Sequence, residues 1–163
     1  MKKFSILLAL VILYGAPGLS AAATYHIRAG AKGNMSGNDW INAMPQLPAT
    51  LVRGNTYYIA DGSYPGYTFD DPQNGAWIYV KKATAGNHGT PAGWQNAFGD
   101  GKAVFGPLKF TTGYYEIDGA SGGGPGKWTT GHGIKVQYTA ASNMWSSRSL
   151  PAPHAKARTL STG

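Results

Sequence analysis

The sequence predicts an all-β protein, and three observations predict it. Glycine occurs 24 times in 163 residues, tyrosine 10 times and tryptophan 5 times, while charged residues make up only 13%. After the N-terminal segment, apolar residues fall into short runs rich in β-branched and aromatic side chains, bounded by Gly, Asp, Asn and Pro, whose backbone preferences favour turns. The centres of the main runs, Tyr58, Tyr79, Val104, Glu116 and Lys135, recur at long intervals near twenty residues. That spacing suits a solenoid, in which like strands of successive coils stack to bury a continuous core. A β-sandwich is the competing reading, with Asp61-Gly62 and Asn74-Gly75 available as two-residue hairpin turns.

The elements follow in order. Lys2 and Lys3, the apolar run Phe4 to Tyr14, the breaker Gly15-Ala16-Pro17-Gly18 and the small residues Ala21-Ala22-Ala23 have the layout of a signal peptide, cleaved after about Ala23. A secreted or periplasmic, bacterial protein is expected, with no transmembrane segment after cleavage, because the run is shorter than the roughly 20 residues that span a bilayer. With no cysteine, there is neither a disulfide framework nor a thiolate metal site.

Residues 24–136 make one domain. Tyr25 to Arg28 alternates as a short strand. A short capping helix is expected next, because Asn38 or Asp39 can cap it, Trp40, Ala43, Met44 and Leu47 recur at three- and four-residue spacing, and Pro45 and Pro48 limit it to one or two turns. Strands are then expected at residues 56–60, 67–69, 77–81, 103–105, 108–110, 114–118 and 133–136.

From about Gln137 to Gly163 the schedule of strands and turns stops. The composition shifts to Ser, Ala, Arg and Pro without any acid, so this tail is expected to be disordered or frame-shifted.

Charge excludes one class of partner. The seven acids all lie before residue 119, and over residues 24–118 they balance seven bases. The excess of the +7 total sits in the signal segment and in sparse, unclustered positions of the C-terminal third, which does not make a nucleic-acid surface.

A family resemblance adds to this reading. Trp40, Leu47-Pro48-Ala49 and Arg53-Gly54-Asn55-Thr56-Tyr57-Tyr58-Ile59-Ala60-Asp61-Gly62-Ser63-Tyr64 resemble the opening of secreted right-handed parallel β-helix proteins of the pectate-lyase-like superfamily. Ile78 to Thr84, Ala103 to Gly106, Phe110, Tyr115 to Gly119 and His132 to Val136 follow the coil-by-coil run of that superfamily, so the resemblance covers roughly residues 25–136. It implies the N-terminal coils of a right-handed β-helix, truncated after about three, with an open end that invites self-association. It also implies an origin among lyases or hydrolases acting on polysaccharide, with the catalytic coils missing. The same scaffold hosts lyases, hydrolases, epimerases and adhesins, so no catalytic residue is carried over. The alternative is a non-catalytic extracellular module that binds cell-wall glycan or mediates surface adhesion.

Residue chemistry supplies the candidate sites. Asp70 and Asp71 are the one adjacent acid pair and can join a cation such as Ca²⁺, although Asp71-Pro72 is also ordinary turn chemistry. Asp61 and Asp118 each precede Gly after an apolar strand, where a carboxylate caps backbone N–H groups. The four histidines show no zinc-binding spacing, and no serine sits in a nucleophile elbow. Aromatic residues exceed what a small core needs: Trp40, Tyr64, Tyr67, Trp77, Trp94, Tyr114 and Trp128. Flat rings accept the C–H faces of sugars, and Trp77, Tyr67 and the outward-facing Glu116 are the candidate ligand-binding residues.

Overall fold

The computed structural model describes residues 21–121 and 131–138. Residues 1–20, where most of a signal peptide is expected, the Gly-rich stretch 122–130 with Trp128, and the tail from residue 139 lie outside the described residues. Nine strands are described: β1 (Thr24–Ile27), β2 (Thr56–Ile59), β3 (Gly62–Tyr64), β4 (Tyr67–Phe69), β5 (Ile78–Lys82), β6 (Ala103–Phe105), β7 (Leu108–Phe110), β8 (Tyr115–Asp118) and β9 (Ile134–Val136). A 3-10 turn at Asn96–Phe98 is the sole helical element among the described residues.

All the named strand pairs are parallel, which rules out the hairpin-built sandwich. Three sheets form, in the orders β1-β2-β5-β8, β3-β6-β9 and β4-β7. The chain therefore visits the three sheets in rotation, and each new circuit lays its strands beside those of the previous one. Thr56 pairs with Tyr79 and Tyr79 with Glu116, whereas Val104 pairs with Lys135 in a different sheet. The near-twenty-residue interval is thus corrected, because its strand centres mixed two sheets. Within one sheet the step is longer and uneven, since residues 83–102 loop out between β5 and β6.

The inward positions build the core. In β5 the alternation is strict, with Ile78, Val80 and Lys82 buried and Tyr79 and Lys81 half-exposed. Ile27, Tyr57, Ile59, Tyr64, Phe69 and Phe105 join them from the other strands. Aromatic rings stack from circuit to circuit: Tyr25 on Tyr57 at 5.3 Å, Tyr64 on Phe105 at 5.0 Å and Phe69 on Phe110 at 4.5 Å. Register places identical corners above one another, so each aromatic meets its counterpart one circuit on.

The capping helix does not form. Met44 instead makes an isolated parallel bridge to Ile27, donating its N–H to the His26 carbonyl and accepting from Arg28 N–H. Asp39 Oδ1 does accept the Asn42 N–H at 2.7 Å, as a helix cap would, but the turn is not propagated. Pro45 and Pro48 supply no donors for a helical ladder, while the open edge of β1 offers partners to the backbone. Trp40, Ala43, Leu47 and Leu51 are buried all the same, so the segment caps that end of the core without being helical.

Two smaller differences concern boundaries. Gly62, expected in a turn, begins β3 at φ +138°, a conformation that suits glycine. Gln137, expected to lie outside the fold, still donates its N–H to Phe105 at 2.8 Å and continues the β6–β9 ladder.

Candidate functional site

Among the described residues, the solvent face of the four-stranded sheet brings together aromatic and charged side chains from several strands. Alternation along each strand turns one residue in two outward. Register then lines these up across the sheet. One row runs Thr24, Thr56, Tyr79, Glu116, and the next runs His26, Tyr58, Lys81, Asp118. A third row lies just before the strands: Gly54 N–H donates to the Trp77 carbonyl and Ile78 N–H to the Tyr114 carbonyl, so Gly54, Trp77 and Tyr114 are ladder neighbours.

The middle of the face is polar and charged. Lys81 Nζ lies 3.7 Å from Glu116 Oε1 and 5.3 Å from the centre of the Tyr79 ring. Asp118 Oδ1 accepts the N–H of Ala120 at 2.9 Å, the corner-capping role expected of it.

At one end Trp77 and Tyr114 are 46% and 44% exposed and meet edge to face at 5.6 Å. Tyr114 has φ +62°, a conformation rare for an aromatic residue. Arg53 holds it there: Nη1 donates to the carbonyls of Gly113 and Tyr114, Nη2 to Asp71 and Nε to Pro72, while the guanidinium stacks 4.4 Å from the centre of the Tyr115 ring.

At the other end the loop after β5 forms a wall. Tyr58 and residues 86–91 line an open depression of about 280 Å³, and the Tyr58 hydroxyl donates to Asn87 Oδ1 at 2.7 Å. His26 lies beneath this wall, 2% exposed. Its Nδ1 is 2.8 Å from the Gly37 carbonyl, which can only accept, so Nδ1 carries the proton. Nε2 is left without a hydrogen-bond partner. A β-carbon at Gly89 would come within 2.7 Å of it, so glycine is what allows the loop to close over the ring. Burial lowers the pKa of His26, against a smaller upward pull from the Gly37 carbonyl.

The sequence-predicted residues divide between roles. Trp77 and Glu116 both reach the solvent face, where Glu116 is exposed. Tyr67 does not belong to it: its hydroxyl donates to the Pro48 carbonyl at 2.8 Å, its ring packs on Phe69, and burial pushes its pKa up. Asp70 and Asp71 point to opposite environments. Asp70 is exposed, whereas Asp71 is buried and accepts from Leu51 N–H at 2.7 Å and from the Tyr115 hydroxyl at 3.0 Å. Among the described residues no group of three or more His, Asp or Glu converges to hold a metal ion.

Tyr58, Tyr79, Lys81 and the 86–91 wall were missed by sequence reasoning. Tyr79 and Lys81 share the parity of Trp77, which was a usable signal. That β2 and β8 flank β5 was not visible in the local pattern.

Asp61, expected at a corner, accepts the Gly101 N–H and pairs with Lys82 Nζ at 2.7 Å. The Lys82 side chain is wholly buried, on an inward position of β5 where a hydrophobe would be expected. No helix among the described residues is long and apolar enough to cross a membrane. Comparisons with protein-family models, with curated proteins and with solved structures found no match.

Proposed function

We propose that residues 24–136 are coils of a right-handed parallel β-helix, exported behind a cleaved signal peptide, that bind polysaccharide on the solvent face of the four-stranded sheet without turning it over. The rotation of the chain through three parallel sheets supports the β-helix, and the general right-handedness of parallel crossovers supports its hand. The leader-like N-terminus supports export.

One observation carries the binding reading: Trp77, Tyr79 and Tyr58 lie on a single exposed sheet face together with the Lys81–Glu116 pair. Rings accept the C–H faces of sugars, and ionised groups make charge-assisted hydrogen bonds to hydroxyls. The strand spacing of about 4.8 Å and the rise of about 3.3 Å per residue set these groups on a flat grid, which suits an extended glycan better than a small enclosed metabolite.

A glycan array probed with the purified chain tests the proposal. Binding is expected that disappears in Tyr79→Ala but survives in Phe110→Ala, which alters an exposed ring on a different sheet. Equal binding by both variants, or none by the parent chain, sinks it. Turnover is tested separately: pectate incubated with the chain and Ca²⁺ should yield no unsaturated products absorbing in the ultraviolet.

A further inference from the structure

The glycan-binding reading leaves the class of polysaccharide open, and the charge of the face narrows it. We infer that the ligand is a neutral, hydroxyl-rich glycan chain lying along the strands from Trp77 towards Tyr58, and not a polyuronate. This inference rests on the glycan-binding reading above.

The charges on the face disfavour an acidic ligand. Among the described residues, Glu116 and Asp118 set two carboxylates on the face against the ammonium of Lys81, which is already 3.7 Å from Glu116 and close to the Tyr79 ring. Arg53, the cation near the Trp77 end, directs its guanidinium to four backbone carbonyls and the Tyr115 ring. The 84–91 loop carries neither Lys nor Arg. A polyuronate carries one carboxylate per sugar and would set like charges beside Glu116 and Asp118, with no free cation among the described residues of the face to match. Like charges held this close repel even in bulk water, and more strongly near a protein surface. A neutral sugar reverses the account, because its hydroxyls donate to these carboxylates and accept from Lys81.

The shape of the aromatic end suits a chain of several sugars. Trp77 has Tyr114 on one side and Gly54 on the other along the same ladder position. Gly54 is at φ +90°, and a β-carbon built on it would meet nothing within 4 Å. One flank of Trp77 therefore borders an open slot. From Trp77 to Lys81 the strand rises about 13 Å at about 3.3 Å per residue, longer than one sugar ring. An oligomer aligned with β5 would lay one ring against Trp77 and another over Tyr79, with the hydroxyls of the next at Lys81 and Glu116.

Titration calorimetry with the full chain tests this, using cellohexaose, xylohexaose and mannohexaose as neutral probes and hexagalacturonate as the charged one. At least one neutral hexamer should bind about tenfold or more tighter than hexagalacturonate. Its affinity should change less than about twofold between about 0.02 and 0.5 M NaCl, since no net charge is being screened. Trp77→Ala should weaken it about tenfold. Glu116→Lys, at an exposed position that should leave folding intact, should raise the affinity for hexagalacturonate several-fold. Tighter binding of hexagalacturonate by the parent chain, weakened by salt, overturns the neutral-glycan inference and leaves glycan binding standing. Failure of all four hexamers to bind removes the glycan-binding reading itself.

Discussion

Lys82 and Asp61 show how much a single buried pair can demand. The lysine takes an inward position of β5, loses its hydration, and recovers interaction energy from Asp61 at 2.7 Å and from its own neighbour's carbonyl. Breaking such a pair leaves an uncompensated charge and typically costs ~3–5 kcal/mol, whereas replacing both partners by apolar groups is often near neutral. Asp61→Ala should therefore lower the urea midpoint sharply, and adding Lys82→Met to it should restore most of the loss. Equal midpoints for the single and double variants would show that Lys82 reaches solvent.

His26 has a different signature, in pH. Its folded-state pKa is lowered, first by burial, so the unfolded chain binds the proton more readily. Of the charges around it, Asp39 favours protonation and His88 opposes it. Stability should fall as pH drops below about 6.5 towards the folded-state pKa, then level off, and His26→Gln should flatten that slope.

At the scale of the element, the corners matter as much as the strands. Arg53 ties the corner before β2 to the carbonyls of Asp71, Pro72, Gly113 and Tyr114, two successive circuits of the chain. Lysine keeps the charge but lacks the planar fork that reaches four carbonyls. Arg53→Lys should lose ~1–3 kcal/mol in urea unfolding and broaden the Tyr114 resonances by NMR, because the positive φ of Tyr114 depends on the bonds to its carbonyl. The cap teaches a related lesson. Trp40, Ala43, Met44 and Leu47 carried a helical spacing, and all four are buried or bridged as a cap residue should be. Their backbone was claimed by the edge of β1, a long-range competitor that local periodicity does not reveal.

For the whole molecule, the two ends of the core differ. Residues 27–51 close the first end, burying Ile27, Leu47 and Leu51. At the other end β7, β8 and β9 have no further partner strand among the described residues, and Phe110 and Val136 are 51% and 40% exposed. Unpaired parallel edges flanked by apolar side chains recruit further strands. We expect concentration-dependent self-association in light scattering, relieved by Phe110→Lys with Val136→Lys. A monomer at all concentrations for both proteins would show that this end is covered.

The sequence by itself determined the all-β class, the position of most strands and the inward or outward sense of their residues, because these follow from chain-local rules: a two-residue side-chain period, β-branched and aromatic propensity, and the turn chemistry of Gly, Asp, Asn and Pro. That is why Glu116 was legible as an outward residue, and why Asp61 and Asp118 were legible as corner residues. Only the tertiary structure decided which strands are neighbours. Residues 83–102 separate β5 from β6 by a long loop, so Val104 and Glu116, close in sequence, belong to different sheets, whereas Tyr58, Lys81 and Asp118 share one row. Tyr67, aromatic and next to a turn like Trp77, was turned into the fold by the Pro48 carbonyl and Phe69, which approach from distant segments. A binding face made of one residue from each of several circuits has no local signature, because register between circuits is set by closure of the core and not by any single strand.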